Sequence, residues 1–446
     1  MLARLMASSN PTHLARRIGV AAAVMLGLGS IMGTGVFVSL GLGAGIAGPA
    51  VLIAIALAGV LATCNGLSSA QLAAAHPVAG GTYAYGYTYL TPSLGFTAGW
   101  MFLAAKSASA ATAALGFAGY LLNTLGLNPA VYLVPVALAV VLGLTALVLT
   151  GLKRTSTVNV VVVAITLVAL AGFVIAGLTM GELTFQPRDV AEADAQASAW
   201  NPGVAALLHA TALMFVAYTG YGRIATMGEE IREPRRNIPA AIIITLAVSA
   251  VVYMAVAAVA LAAVGAAAFF DATEQQAAPL EVIARTFGEG HPTTLVVALV
   301  SLGALTAMLG VLLNLILGLS RVALAMGRRR DLPGKVGQLS SGGVPVAATL
   351  GVMVVIGVLA SLGSVKAAWS FSAFTVLVYY GLTNAAALRL PAERRLYPRA
   401  FAWAGLFGCL FLAFWVEPIY WGAGLGLIAV GLVWHAVARK LAGGAT

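Results

Sequence analysis

Apolar residues run along this chain in blocks of roughly 20, separated by short clusters of proline, glycine and charge. No Asp, Glu, Lys or Arg occurs between Arg17 and Lys106, and further charge-free stretches cover 155–181, 201–222 and 290–320. A bilayer core about 30 Å thick takes ~20 apolar residues per helical span, because every backbone N–H and C=O must be satisfied without water. Taking apolar runs between breaker and charge clusters, the pattern predicts helices over 18–40, 48–75, 94–122, 131–150, 156–178 and 204–226. A second set follows over 238–263, 293–320, 344–363, 366–388, 400–416 and 419–438. The fold class is all-α and membrane-integral, with about twelve transmembrane helices.

Composition agrees with that solvent. Of 446 residues 61% are hydrophobic and 9% charged, against about 25% charged in an average soluble domain. The first apolar run follows Arg16 and Arg17 as a signal peptide would, but it is longer than an ordinary signal core and leads into more membrane sequence, so it is expected to be retained. With the N-terminus cytoplasmic, twenty of the 24 Lys and Arg residues fall on inner segments. The outer segments hold Arg188, Arg285 and Lys366 together with most of the acids, which sets the orientation and puts both termini inside the cell membrane. The net charge of +10 therefore follows from topology rather than from nucleic-acid binding, and membrane lipid is the expected surrounding partner. No pattern sets an oligomeric state.

Cys64 and Cys409 sit inside apolar runs with no cationic neighbour in sequence, which points to structural thiols. The five histidines are far apart, and no predicted membrane core contains an acid. Neither a metal cluster, a cofactor motif nor a nucleophile with its base is present, so a membrane enzyme is not expected.

Two segments look unsuited to continuous helix. GLGSIMGTGVFVSLGLGAG, 27–45, packs seven glycines into one predicted span, each costing ~1 kcal/mol against alanine in a helix. Either small residues let helices pack closely, or the helix unwinds there and its freed backbone groups bind a ligand. FVAYTGYG, 215–222, is a second candidate break in the sixth span, the opening helix of the second half. Broken helices at corresponding places of two inverted repeats meet near the midplane in transporters, and that correspondence favours binding.

At these residues the chain resembles the amino acid/polyamine/organocation superfamily of permeases. Four segments carry the likeness: GSIMGTGVF (29–37), PVAGGTYAY (77–85), FVAYTGYGRIATMGEEIREPRRNIPAAI (215–242) and GLSRVALAMGRRRDLP (318–333). Within the third, Glu229 and Glu230 end a helix above an Arg-rich turn, ordinary ion pairing in a solvated loop being the plain alternative, and Pro239 is suited to open the next helix.

The resemblance implies a LeuT-like fold of five-plus-five inverted spans with two C-terminal helices. It divides the chain into a cytoplasmic segment 1–17, a first repeat 18–178, an extracytoplasmic loop 179–203, a second repeat 204–389, and 390–446 holding the last two spans and the C-terminus. It implies that N–H groups around Gly33, Thr34 and Gly35, with the Thr34 hydroxyl, hold a substrate carboxylate. The carbonyl of Ile31 at the first break and those of Val216, Ala217 and Thr219, beside Gly220 at the second, would hold an ammonium. Val216 occupies the place where many relatives carry a bulky aromatic lid, with Phe215 and Tyr218 as alternative lids.

Where cation-transporting relatives carry an acid this chain has Gly222, which favours neutral amino acids over Arg, Lys or polyamines. Thr166 replaces the lysine found in the fifth span of many relatives, and Thr306 is the main hydroxyl of the eighth, so neither a tethered cation nor a sodium site is well supported there. Lys106, inside the third span, is the unexpected ion, either snorkelling to the interface or acting in coupling or substrate contact. His209 is a candidate for proton linkage or a structural histidine. The expected function is secondary active transport of amino acids by alternating access. The alternatives are an amine or cationic amino acid exchanger or exporter of the same fold, or a non-transporting sensor.

Overall fold

The computed structural model describes residues 18–76, 80–151, 156–181, 203–226, 230–288 and 293–443. The segment 1–17, Lys153, Arg154, Glu229, the opening of the PVAGGTYAY segment and most of the 179–203 loop lie outside the described residues. Helices α1 (Val20–Ile31), α2 (Leu40–Ala47), α3 (Val51–Ala75), α4 (Gly81–Tyr89), α5 (Pro92–Leu125), α6 (Pro129–Leu149) and α7 (Ser156–Met180) build the first half. The second half and the tail hold α8 (Gly203–Tyr218), α9 (Gly222–Thr226), α10 (Pro234–Gln276), α11 (Pro279–Arg285), α12 (Thr294–Arg328), α13 (Val346–Ser361), α14 (Val365–Leu388), α15 (Arg399–Ala413) and α16 (Pro418–Gly443). Among the described residues nine helical stretches are long and apolar enough to cross a membrane, and Val20–Ile31, Val346–Ser361 and Arg399–Ala413 are shorter apolar helices beside them.

The sequence reading needs amendment in places. The seventh predicted helix ends near 263, whereas α10 continues to Gln276 across a bend at Gly265, whose φ of 78° only glycine adopts freely. Pro239 does not open α10. Pro234 does, at the first helical position where its missing N–H costs nothing, behind Glu233 in the left-handed region. Helix α12 runs eight residues past the predicted end at Ser320, carrying Arg321 and Arg328 with it. The short helices α4 and α11 were not anticipated.

Helices α12 and α14 each pack along α5, the buried middle of the bundle. The α5 sequence SASAATAALGFAG explains the closeness, since small side chains let helix backbones approach where apolar burial alone cannot drive association in lipid. A Cβ on Gly116 would stand 2.9 Å from the Met308 sulfur of α12. Outward-facing apolar side chains such as Val60, Val168, Val251, Phe407 and Val433 are 58% to 69% exposed, the surface a hydrocarbon solvent requires. Ahead of α1, Ile18 pairs with the segment after α9, donating to the Glu230 carbonyl at 3.0 Å and accepting from Arg232 N–H at 2.9 Å. The base of the first helix is thereby tied to the loop of the second half.

Candidate functional site

Helix α1 stops at Ile31. Met32 adopts φ −76° and ψ 87°, and Gly33 N–H donates to the Ile31 carbonyl at 3.0 Å, the three-residue inverse γ-turn that reverses a chain in the least space. Beyond it Gly35–Ser39 wind as a π-helical turn, a form concentrated at functional positions because it leaves carbonyls out of α-register. The Thr34 hydroxyl is buried without a hydrogen-bond partner.

The other break is slighter. Helix α8 reaches Tyr218 and tightens into a 3₁₀ turn over Thr219–Tyr221 before α9 resumes. The glycines at both breaks serve contact rather than an unusual φ. A Cβ on Gly220 would run into the Ser30 carbonyl of α1, and one on Gly35 would stand 2.8 Å from the Tyr253 hydroxyl and 3.2 Å from the Ala217 Cα. Gly33 abuts Val311 of α12, with 2.6 Å left for a Cβ.

Between the breaks lies a cavity of about 40 Å³, and Ile31, Thr34, Gly35, Val216, Ala217, Thr219 and Gly220 all line it. Gly33, Phe215 and Tyr218 do not. Phe215 is fully buried edge-on against Tyr380 at 5.7 Å. Tyr218 turns toward α3, its hydroxyl donating to the Ile55 carbonyl at 3.2 Å. Trp369 of α14 closes the cavity instead, held by an indole N–H bond to the Leu213 carbonyl at 3.0 Å.

Every carbonyl proposed for an ammonium meets a protein hydroxyl. Tyr253 of α10 lies 3.1 Å from the Ile31 carbonyl and 2.9 Å from that of Ala217. Thr219 Oγ1 donates to the Val216 carbonyl at 2.8 Å, and Tyr380 donates to the Thr219 carbonyl at 3.0 Å. The Ile31 carbonyl also accepts from Gly33 N–H, so with two lone pairs per carbonyl an ammonium there takes the place of a donor the protein now supplies. Tyr253, Trp369 and Tyr380 were not anticipated; the signal available was a polar-tipped aromatic inside an apolar run, which when buried needs a partner.

Lys106 does not snorkel. It is 9% exposed, and its Nζ donates to Thr219 Oγ1 at 2.8 Å, beside the α8 break. Thr166 and Thr306 line neither cavity, and each hydroxyl donates to a carbonyl of its own helix, Val162 and Leu302. His209 lines neither cavity, and Cys409 is buried against Asn65. No group of three or more His, Cys, Asp or Glu that could hold a metal ion occurs among the described residues.

A second, larger cavity of about 520 Å³ shares Ser30, Lys106, Thr219, Gly220, Val311 and Leu315 with the small one. It widens toward the exposed Arg321, Arg328 and Arg329. The small cavity is thus the blind end of a vestibule that opens at the arginine-rich end of the bundle.

The amino acid permease family model matches residues 22–444. An uncharacterised transporter of Mycobacterium tuberculosis is 38% identical over 430 residues, 96% of this chain and 92% of that protein. A branched-chain amino acid permease of Bacillus subtilis is 25% identical over 340 residues, covering 75% of this chain and 71% of its own. The chloroplastic cationic amino acid transporter 7 of Arabidopsis thaliana is 26% identical over 383 residues, 82% of this chain and 64% of that protein. A family match over nearly the whole length, on a helical bundle with a backbone-lined cavity at its centre, places this chain in the amino acid permease family, as a multi-pass membrane transporter.

Proposed function

We propose that the protein is a secondary transporter that carries amino acids across the cell membrane by alternating access, with twelve spans, two inverted repeats (18–178 and 204–389) and cytoplasmic termini. The convergence of both helix breaks on one cavity carries this reading. A zwitterion needs donors for its carboxylate and acceptors for its ammonium. The start of the π-turn with the unpartnered Thr34 hydroxyl supplies the first, and the carbonyls of Ile31, Val216, Ala217 and Thr219 supply the second.

With the arginine-rich end placed on the cytoplasmic side, as the distribution of Lys and Arg supports, the vestibule corresponds to an inward-open state. Among the described residues no acid lines either cavity, which supports substrates whose side chains carry no positive charge. The test is uptake of labelled amino acids into proteoliposomes loaded with unlabelled ones, with and without proton or sodium gradients. Saturable counterflow of amino acids without a cationic side chain supports the carrier. Binding without flux would make the protein a sensor, and flux of amines alone would overturn the substrate class.

Two variants probe the pocket. Val216→Trp is expected to exclude large side chains before small ones, read by competition against labelled alanine, and unchanged selectivity would place the lid elsewhere. Tyr253→Phe removes the hydroxyl shared by the Ala217 carbonyl and the Ile31 carbonyl, the latter keeping Gly33 N–H, and a buried acceptor that loses its donor costs about 1–3 kcal/mol. Its unfolding midpoint in detergent is expected to fall, and saturating amino acid to narrow the gap, because the substrate ammonium replaces the missing donor. A gap that substrate leaves unchanged would remove those carbonyls from the site.

A further inference from the structure

We infer that Lys106 is the counter-ion for a second carboxylate on the substrate, so that the protein takes amino acids with an acidic side chain; this rests on the permease reading of the same cavity.

The arginines of the vestibule are where topology puts cations, but Lys106 is not. It lies in the middle of α5, 9% exposed, among alanines and serines. A charge taken from water into such surroundings is paired or costs several kcal/mol, and an intramembrane lysine is functional by default. Its partner in the protein is a neutral hydroxyl, Thr219 Oγ1, which is itself committed to the Val216 carbonyl. A lysine ammonium has three protons, so two remain for a ligand. Among the described residues no Asp or Glu lines either cavity. The described acid that approaches the vestibule wall, Asp331, is engaged by Tyr83 and Tyr87. Among the described residues nothing supplies the negative charge, and the substrate does.

Position separates the two carboxylates. Thr34 and Gly35 line the small cavity only, whereas Lys106 lines both cavities, at the neck between them. An α-carboxylate at the first helix break leaves the side chain to extend toward the neck, where its terminal carboxylate meets Lys106. Beyond the neck Arg321, Arg328 and Arg329 also line the vestibule, and among the described residues no acid lines it, a field that draws anions along the path.

The test uses full-length protein in proteoliposomes and compares glutamate, glutamine and isoglutamine, in which the α-carboxylate rather than the side-chain carboxylate is amidated. Glutamate and aspartate are expected to be preferred over glutamine by about tenfold to 100-fold, the worth of a charge-assisted hydrogen bond, and Lys106→Gln is expected to abolish that preference. Should Lys106→Gln fail to fold, substrate-induced thermal stabilisation of the unaltered protein gives the same comparison, with glutamate expected above glutamine. Three results overturn the inference. If glutamine and leucine move while glutamate is inert, the permease reading stands and the acidic class falls. If isoglutamine is lost while glutamine is kept, and Lys106→Gln impairs leucine as much as glutamate, Lys106 holds the α-carboxylate. If no amino acid moves or stabilises the protein, the permease reading falls as well.

Discussion

Gly220→Val is expected to leave a protein that inserts, purifies and elutes like the parent, yet transports at least about 100-fold more slowly, the loss that a misplacement near 1 Å brings to a positioned site. The backbone of the α8 break lies against the backbone of α1: a Cβ on Gly220 would collide with the Ser30 carbonyl and stand 2.6 Å from Ile31 Cγ1. A flexible side chain could move aside, but a peptide unit at the mouth of a helix break cannot move without carrying the Ile31 carbonyl and the Thr34 hydroxyl with it. Gly33→Val meets the Val311 side chain rather than backbone, so a smaller loss is expected. Gly351→Ala on α13, where a Cβ would touch nothing within 4 Å, is the control for general damage. Counterflow and size-exclusion profiles on the three proteins check the order. Normal transport by Gly220→Val would show that the two breaks do not act as one site.

The glycine string and the FVAYTGYG segment marked both breaks as candidates, because a membrane helix gives up so much helix propensity either for close packing or for unwinding. Their physical cause was only half legible. Among the described residues Gly33, Gly35 and Gly220 are absent from the positive-φ residues, and each is glycine because another helix needs the space. Close approach depends on which helices meet, and sequence periodicity along one helix carries no such information.

The same limit hides Tyr253, Trp369 and Tyr380, whose partners Ile31, Leu213 and Thr219 lie 222, 156 and 161 residues away. Lys106 stood out as an ion in an apolar run, but its partner Thr219 is 113 residues distant. Thr166 and Thr306 show the opposite case. A hydroxyl in an apolar helix reaches a carbonyl of its own preceding turn, so a threonine in a plausible register says little about an ion site. Helix extents failed where polar ends ride on helices that continue past the apolar core, as in α10 beyond Gly265 and α12 beyond Ser320.

Asp331 read as one charge in the solvated run RRRDLP, and the structure buries it at 3% exposure. One carboxylate oxygen accepts from the Tyr83 and Tyr87 hydroxyls of α4, both at 2.7 Å, and the other lies 3.1 Å from His435 Nδ1 on α16. Its carbonyl accepts from the Trp434 indole at 2.8 Å, while His435 stacks on Phe96 of α5 at 4.6 Å between ring centres. Burial first, and then the neighbouring carboxylate, push both tyrosine hydroxyls above the usual phenol range, so they remain donors at any physiological pH. Helices α4 and α16, with α5 behind His435, thus close on one acid beside Arg329, whose guanidinium lies 4.4 Å from the Tyr87 ring centre and faces the vestibule.

Asp331→Ala would strand both phenols and expose no new apolar contact in exchange, at about 1–3 kcal/mol for each buried donor left unpaired. The variant is therefore expected to unfold at a clearly lower temperature in detergent. Because none of Asp331, Tyr83, Tyr87 and His435 lines the small cavity, substrate KM should stay within about twofold of the parent while the maximal rate falls, the pattern of a change in conformational steps rather than in binding. Adding Tyr83→Phe and Tyr87→Phe to Asp331→Ala should cost far less than those changes cost on their own, since groups in one network are not additive. Additive losses, or an alanine variant as stable as the parent, would mean that the acid is merely buried beside the tyrosines and fastens nothing.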